Sequence, residues 1–173
     1  MALGKPGGGL DDRPPYAVID IDATLADVRH RLHHLAHRPK NWDGFFAAAP
    51  ADPPLPEGME IATTLATDHE VVYLTGRPER TRGDTEAWLS RYRLPAGRLL
   101  MRRDTDRRPS AVMKLGQLRR LAAQRRVAIL VDDDVEVCAA AEAAGFAVLR
   151  ADWALDEDTR PTLFDAQESE GRT

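Results

Sequence analysis

Three apolar runs of this chain end in acids or a hydroxyl: Asp20-Ile21-Asp22-Ala23-Thr24, Thr75-Gly76-Arg77 and Asp132-Asp133-Asp134. In an extended strand Asp20 and Asp22 point the same way, which brings two carboxylates together. Two like charges about 4 Å apart repel by a few kcal/mol at an effective dielectric of about 20. Adding Asp132 and Asp133 makes the cluster untenable unless protons or a cation neutralise it. Hard oxygen ligands without His or Cys favour Mg²⁺, which keeps waters and takes one or two carboxylates plus substrate phosphate. A carboxylate nucleophile beside Mg²⁺ is an arrangement for phosphoryl transfer. An aspartyl phosphate splits the displacement into two steps, and the metal offsets the repulsion between carboxylate and phosphate. A hydroxyl and an ammonium must then hold the phosphoryl oxygens, and Thr75 and Lys114 are placed to supply them. Only three lysines exist, Lys5, Lys40 and Lys114. The bland alternative for Lys114 is a solvated surface side chain.

These residues need a scaffold that brings distant segments to one edge. Short apolar runs alternate with helical patterns, predicting strands at Tyr16–Asp22, Glu70–Thr75, Arg98–Arg102, Val127–Asp132 and Phe146–Arg150. Helices are expected at 26–37, 57–67, 78–92, 110–124 and 134–144, the last ended by Gly145. The first and fourth strands are nearly continuous apolar runs, as parallel strands buried on both faces are. The fold class that follows is α/β: a doubly wound, mostly parallel five-stranded sheet with helices on both faces. All three acid or hydroxyl ends then share the carboxyl edge, where such sheets bind ligands.

The expected organisation is a disordered tail over 1–14, one domain over 15–164, and a polar tail over 165–173. Within the domain, 38–56 (RPKNWDGFFAAAPADPPLP) crowds aromatic, Gly and Pro residues together. It reads either as a short cap or flap over the site or as an ordinary connection whose Trp42, Phe45 and Phe46 pack on the core.

The 173 residues are 43% hydrophobic and 30% charged, which excludes collagen-like and wholly disordered chains. One cysteine excludes an internal disulfide framework and a thiolate-rich zinc site, and fits a reducing compartment. No apolar run approaches the roughly 18 residues that span a bilayer, and no secretory signal opens the chain, so a cytoplasmic protein with no membrane partner is expected. Net charge is −4, but its distribution is uneven. From Arg77 to Arg126 there are 14 arginines and one lysine against five acids, and from Asp132 to Glu170 there are 12 acids against two arginines. A basic middle in an acidic chain suits a polyanion or a phosphorylated ligand; its plain alternative is a set of solvated helix faces.

DIDATLAD, LTGR, Lys114 and VDDD, in that order, resemble the four motifs of the haloacid dehalogenase (HAD) superfamily of phosphohydrolases, from Val18 to about Asp152. The resemblance implies that Asp20 is the nucleophile that becomes phosphorylated and that Asp22 protonates the leaving oxygen and then activates water. It implies that Thr75 and Gly76 bind the phosphoryl group, that Lys114 stabilises nucleophile and phosphate, and that Thr24 supports the turn. Asp132 and Asp133, with Asp20 and Asp22, would hold Mg²⁺. The stretches ADVRHRLHHL, RPKNWDGFF, LTGRPERTRGDTEAWL, LLMRRDTDRRPSAVMK and VDDDVEVCAAAEAAGFAVLRADW are similar to the phosphatase half of polynucleotide kinase 3′-phosphatases of phage and bacterial type. That similarity implies Arg31 (or Arg29) and Arg77 as substrate-phosphate ligands. It implies a 3′-phosphatase acting on a phosphorylated nucleic-acid end or a 3′-nucleotide. No G-x-x-x-x-G-K-[ST] phosphate loop occurs, so a kinase or ligase partner would be separate.

The chain departs from the family pattern at Ala23, where glycine is usual, at Ser110, where an acid usually stands before the lysine, and at Asp134 after the paired acids. A small-ester phosphatase and a phosphatase-like binding module with little turnover therefore stay as alternatives. A phosphoacceptor receiver is opposed by motif order, because the acid pair lies on the fourth strand, after Lys114. His30, His33, His34 and His37 would share one face of a helix, open to zinc, to phosphate or base contacts, or to solvent. Trp42, Phe45 and Phe46 are equally candidates for stacking a base and for core packing. Cys138, Trp88, Leu89 and Tyr92 are expected in the core.

Overall fold

The computed structural model describes residues 12–154; residues 1–11 of the tail expected over 1–14, the whole tail expected over 165–173, and the end of the expected domain lie outside the described residues. Five parallel strands form one sheet: β1 (Tyr16–Ile19), β2 (Glu70–Pro78), β3 (Gly97–Arg102), β4 (Val127–Asp132) and β5 (Val148–Arg150), in the order β3-β2-β1-β4-β5. The central strand β1 is buried throughout, and Val18 lies between Val72 and Leu130. Alternation along the strands sorts the core into two layers. Val18, Val72, Leu74 and Leu130 face α4 (Ser110–Ala122) and α5 (Val135–Ala143), where Leu118, Leu121, Val137 and Ala141 meet them. Ile19, Val71, Tyr73 and Val131 face the other way, onto Ala62 of α2 (Pro56–Leu65) and Trp88 of α3 (Arg82–Arg91). Trp88 and Cys138 are buried, and Leu89 and Tyr92 pack partly buried against the same layer.

Several element boundaries differ from the sequence reading. The expected helix at 26–37 is a 3-10 helix over Arg29–Leu35. The chain before it is spent in a tight turn, in which the Ile21 carbonyl accepts from the amides of Thr24, Leu25 and Ala26. β2 runs three residues beyond Thr75, and Pro78 delays the following α-helix to Arg82, with a 3-10 turn at Glu79–Thr81 between. α5 ends as expected at Gly145, which takes a φ of +88°.

Residues 38–56 carry α1 (Trp42–Ala47) and a 3-10 turn at Ala49–Ala51. Asn41 caps α1 by accepting from the Gly44 amide at 2.9 Å. Trp42, Phe45 and Phe46 stack on one another and bury themselves with Val28, Leu32, Leu35 and Leu55. No more than 5% of any of the three is exposed, so packing rather than base stacking is their role. The segment is anchored at both ends of a short bridge, with Asp27 N–H bonded to the Pro53 carbonyl and Leu55 N–H to that of Leu25. Gly58 on α2 lies directly under the turn, where any Cβ would collide with the Thr24 carbonyl.

Candidate active site

Strand order does the assembling. β1 and β4 are neighbours, so Asp20 and Asp132–Asp133 emerge side by side; β2 lies on the other flank of β1 and brings Thr75, Gly76 and Arg77. Lys114 comes from the second turn of α4. Its Nζ donates to Asp132 Oδ2 at 2.8 Å and lies 2.9 Å from Asp20 Oδ1. Asp132 Oδ1 accepts from the Asp134 amide at 3.1 Å, which fixes that carboxylate. Asp20, Asp132 and Asp133 each offer an oxygen within 4.8 Å of the others, and all three are buried. Both oxygens of Asp133 lack a hydrogen-bond partner among the described residues. An unsatisfied buried carboxylate is costly. Three acids here face one ammonium, a donor set of hard oxygens short of one dication.

Electrostatics records the imbalance. Burial pushes the Asp20 carboxyl up to about 7; Lys114 opposes that, and Asp132 and Asp22 add to it. Burial, then Asp20 and Asp132, drive Asp133 well above the usual carboxylate range. Burial alone would lower the Lys114 ammonium, but Asp132 and Asp20 reverse this and hold it charged. A cation beside these acids would return all of them to the ionised state.

The other half of the site is built from arginines. Arg31 is wholly buried, and its guanidinium reaches Asp22 Oδ1 at 2.7 Å and both oxygens of Asp52 at 2.7 Å. It also lies over the Phe45 ring at 4.0 Å. Arg77 donates to Asp22 Oδ1 from Nε at 2.9 Å and Nη2 at 2.6 Å, and to Asp52 Oδ2 at 2.9 Å. Thr75 Oγ1 accepts from the Arg77 amide at 3.1 Å within the end of β2, where the register with β3 shifts between Leu74 and Pro78. Burial would raise Asp22, but Arg31 and Arg77 more than offset it and hold its carboxyl down to about 2. Its Oδ2 stays buried without a partner among the described residues. The Asp22 side chain is therefore turned to the guanidiniums and is not one of the three clustered acids.

Residues 14–153 match the family described as the polynucleotide kinase PNKP phosphatase domain. The chain belongs to that family. It is a HAD-type phosphatase domain, with the five-stranded parallel sheet that the HAD expectation required. Comparison with curated proteins gives no match. Among solved structures, a chain in a Pnkp1/Rnl/Hen1 complex shares 21% identity at a TM-score of 0.67, covering 84% of this chain and 47% of that one. The chain thus spans about half the length of that relative. A haloacid dehalogenase-like hydrolase from Streptococcus pneumoniae shares 13% at a TM-score of 0.57, covering 90% and 91% of the two chains. A magnesium-bound HAD hydrolase from Bacillus subtilis shares 8% at a TM-score of 0.56, covering 89% of this chain and all 100% of the other. At these identities the likeness is one of fold.

The three departures from the PNKP phosphatase pattern each have a local account. Ala23 sits at φ +59°, the left-handed region that glycine enters freely. Its methyl is wholly buried in the cluster with Trp42, Phe45 and Leu55, so packing offsets backbone strain. Ser110 Oγ accepts from Arg102 Nη2 at 3.0 Å. Asp134 does not join the acid cluster; its Oδ1 caps α5, accepting from the amides of Glu136 and Val137. Thr24 acts through its backbone, its carbonyl accepting from Trp153 Nε1 at 3.0 Å.

Other sequence candidates are not brought to the site. Arg29 is exposed and paired with Asp27, so Arg31 is the arginine that enters. The 3-10 helix carries His30, His33 and His34, with the His33 and His34 rings 4.1 Å apart. His33 Nδ1 lies 3.0 Å from the His30 carbonyl and His34 Nδ1 3.5 Å from Asn41 Nδ2. Among the described residues the one cluster of three or more residues with metal-ligating geometry is Asp20, Asp132 and Asp133, and none of these histidines belongs to it. Sequence reasoning missed Asp52 altogether. It is fully buried, its carbonyl accepts from Trp88 Nε1 at 2.8 Å, and His30 Nε2 lies 2.8 Å from its Oδ1. Its only signal was an acid amid the apolar, proline-rich run PADPPLP, where a solvated loop acid and a buried one look alike.

Proposed function

We propose that this domain is a Mg²⁺-dependent phosphomonoesterase that removes a terminal 3′-phosphate from polynucleotide ends through an aspartyl-phosphate intermediate. The observation that carries the reading is the pairing, on one sheet edge, of an acid cluster short of a cation with a buried pair of arginines. Asp20, Asp132 and Asp133 would hold Mg²⁺, and the unpartnered oxygens of Asp133 fit that role. Bound there, the cation supplies the positive charge that lets a carboxylate and a phosphate approach each other.

Asp20 attacks phosphorus, forming an acyl phosphate bond as the bond to the 3′-oxygen breaks. Asp22, on the turn after β1, takes up a proton from solvent as its arginines turn to the phosphate and gives it to that oxygen through Oδ2, which has no hydrogen-bond partner among the described residues. Arg31 and Arg77 pass from Asp22 to the phosphoryl oxygens, with the Thr75 hydroxyl and the Gly76 backbone beside them. Losing two guanidinium partners raises the affinity of Asp22 for a proton, as the acid step requires. In the second half Asp22 takes a proton from water, the water oxygen attacks phosphorus, and Asp20 is released with phosphate. Lys114 holds Asp20 in position through both steps.

The polynucleotide assignment rests on the family match and the arginine-rich middle of the chain. The structural likeness to a chain of a Pnkp1/Rnl/Hen1 complex supports a separate ligase as partner. The test is phosphate release from a 3′-phosphorylated oligonucleotide with and without Mg²⁺, beside a 5′-phosphorylated oligonucleotide, a 3′-mononucleotide and an aryl phosphate, with Asp20→Asn as control. Selective, Mg²⁺-dependent release from the first is expected. Release from small esters alone would replace the polynucleotide reading with a small-ester phosphatase, and silence on all four would leave a binding module.

A further inference from the structure

Beyond β2, the sheet edge continues onto a second basic feature that the phosphoryl chemistry does not use. The loop after β3 closes over a cavity of about 230 Å³ lined by Arg102, Arg103, Asp106, Arg108, Met113 and Arg120, among others. Four arginines and one acid thus line it, and that acid is already engaged: Arg108 Nε and Nη2 donate to Asp106 Oδ1 and Oδ2 at 2.9 and 2.5 Å. Arg103 and Arg120 form no ion pair among the described residues.

The cavity is built rather than accidental. Arg102 is only 2% exposed, and its guanidinium organises the loop from inside, donating to the Arg108 carbonyl at 2.7 Å and to Ser110 Oγ at 3.0 Å. The Asp106 amide closes a turn on the Arg103 carbonyl at 2.9 Å, and the Arg108 amide donates to Asp106 Oδ1 at 3.0 Å. Ser110 is thereby an acceptor for Arg102.

Its position relates it to the proposed active site. Arg102 pairs in register with Pro78, one residue after Arg77, and Met113 of the lining precedes Lys114 in α4. β3 lies two strands from β1, so the cavity is roughly 10 Å along the edge from Asp20, a distance spanned by a few nucleotides. A guanidinium fork is matched to phosphate oxygens.

We infer that this cavity is a second phosphate site, holding an internal phosphodiester of the strand whose 3′-end is at Asp20. The inference rests on the polynucleotide reading above and names the group that distinguishes a strand from a small ester. The test compares wild type with the double variant Arg103→Gln/Arg120→Gln, with thermal melting to confirm that both fold. The ratio of kcat/KM for 3′-phosphorylated oligonucleotide to that for 3′-mononucleotide should fall roughly tenfold. The salt slope of oligonucleotide binding to an Asp20→Asn background should fall by about one. An unchanged ratio and slope would overturn the inference. A series of oligonucleotides with one neutral methylphosphonate linkage, moved stepwise from the 3′-end, supplies an arm that leaves the protein intact. One position should weaken the wild type and leave the double variant unaffected; independent effects at every position would overturn the site. If inorganic phosphate alone occupies the cavity, protecting wild type but not the variant against melting with no effect of any linkage, the site binds free anion and not the strand. Failure of the wild type to prefer the oligonucleotide at all would instead overturn the polynucleotide reading, whatever the variant does.

Discussion

The two halves of the candidate site solve opposite electrostatic problems. On the β1–β4 side three buried carboxylates share one ammonium, Lys114, and Asp133 has no hydrogen-bond partner among the described residues. On the β1–β2 side two guanidiniums meet two carboxylates, Asp22 and Asp52, in a closed network with distances of 2.6–2.9 Å. The first half is incomplete as the protein stands and calls for a cation. The second pairs both guanidiniums with carboxylates and leaves only Asp22 Oδ2 without a partner among the described residues; in the proposed reaction a phosphate competes with Asp22 for these arginines. In the proposed reaction the first half receives the metal and the second exchanges a partner.

Breaking the first half has the largest expected effect. Asp20→Asn removes the proposed nucleophile, and phosphate release should fall by on the order of 10⁴-fold or more. The same change removes one of three crowded acids, so the metal-free variant should melt no lower than wild type. A variant retaining substantial turnover in a clean preparation would end the covalent mechanism.

Opening the second half comes next. Asp52→Ala leaves two buried guanidiniums to share Asp22, and loss of one partner of a buried pair costs about 3–5 kcal/mol. Urea unfolding should read this directly. Asp52→Asn keeps the shape and should lose less stability while raising KM more than it lowers kcat, because the arginines lose their positioning. Wild-type KM in Asp52→Asn would show that Asp52 supports the fold only.

A pH series sharpens the contrast between the halves. Asp20 has a folded pKa of about 7, above the usual carboxylate value, so the folded state binds the extra proton. Its contribution is fully present at low pH and is lost as pH rises toward 7. Asp22, held down to about 2, contributes stability above the ordinary carboxylate range and loses it only as pH falls through about 2. Metal-free protein should therefore lose stability between about pH 4 and 7 from the acid cluster. Mg²⁺ should raise the melting temperature at pH 7.5 and leave it unchanged near pH 4. Equal protection at both values would place the ion elsewhere.

The smallest effect belongs to the turn that joins the halves. Ala23→Gly relieves a left-handed alanine worth about 1–2 kcal/mol, but forfeits a buried methyl of about 0.8 kcal/mol and gains unfolded-state entropy of about 0.5–1 kcal/mol. The net change should lie within about 1 kcal/mol of zero. A larger loss would mean that the methyl positions Asp22 through its packing with Trp42.

The sheet was legible in the chain because buried parallel strands write themselves as apolar runs, and YAVID and VAILVD leave little else to form. The acid cluster followed from them, since strand ends share an edge. Boundaries were less legible where hydrogen bonding inside a turn overrode periodicity: the Ile21 carbonyl takes three amides, and the expected helix shrinks to Arg29–Leu35. The aromatic segment showed its composition but not its direction, and folding turned Trp42, Phe45 and Phe46 inward.

By itself, then, the sequence determined the fold class and the sheet edge, and it placed Asp20, Thr75, Arg77, Lys114 and Asp132–Asp133 there as candidates. Each lies within or next to a strand or a strongly periodic helix, where local pattern dictates position. Only tertiary structure decided that Asp22 faces arginines instead of the acid cluster, that Arg31 and not Arg29 enters, and that Asp52 closes the network. Those outcomes depend on which of several similar charges is buried, and burial is set by contacts that reach across as many as 55 residues of chain, a separation over which local sequence carries no pattern.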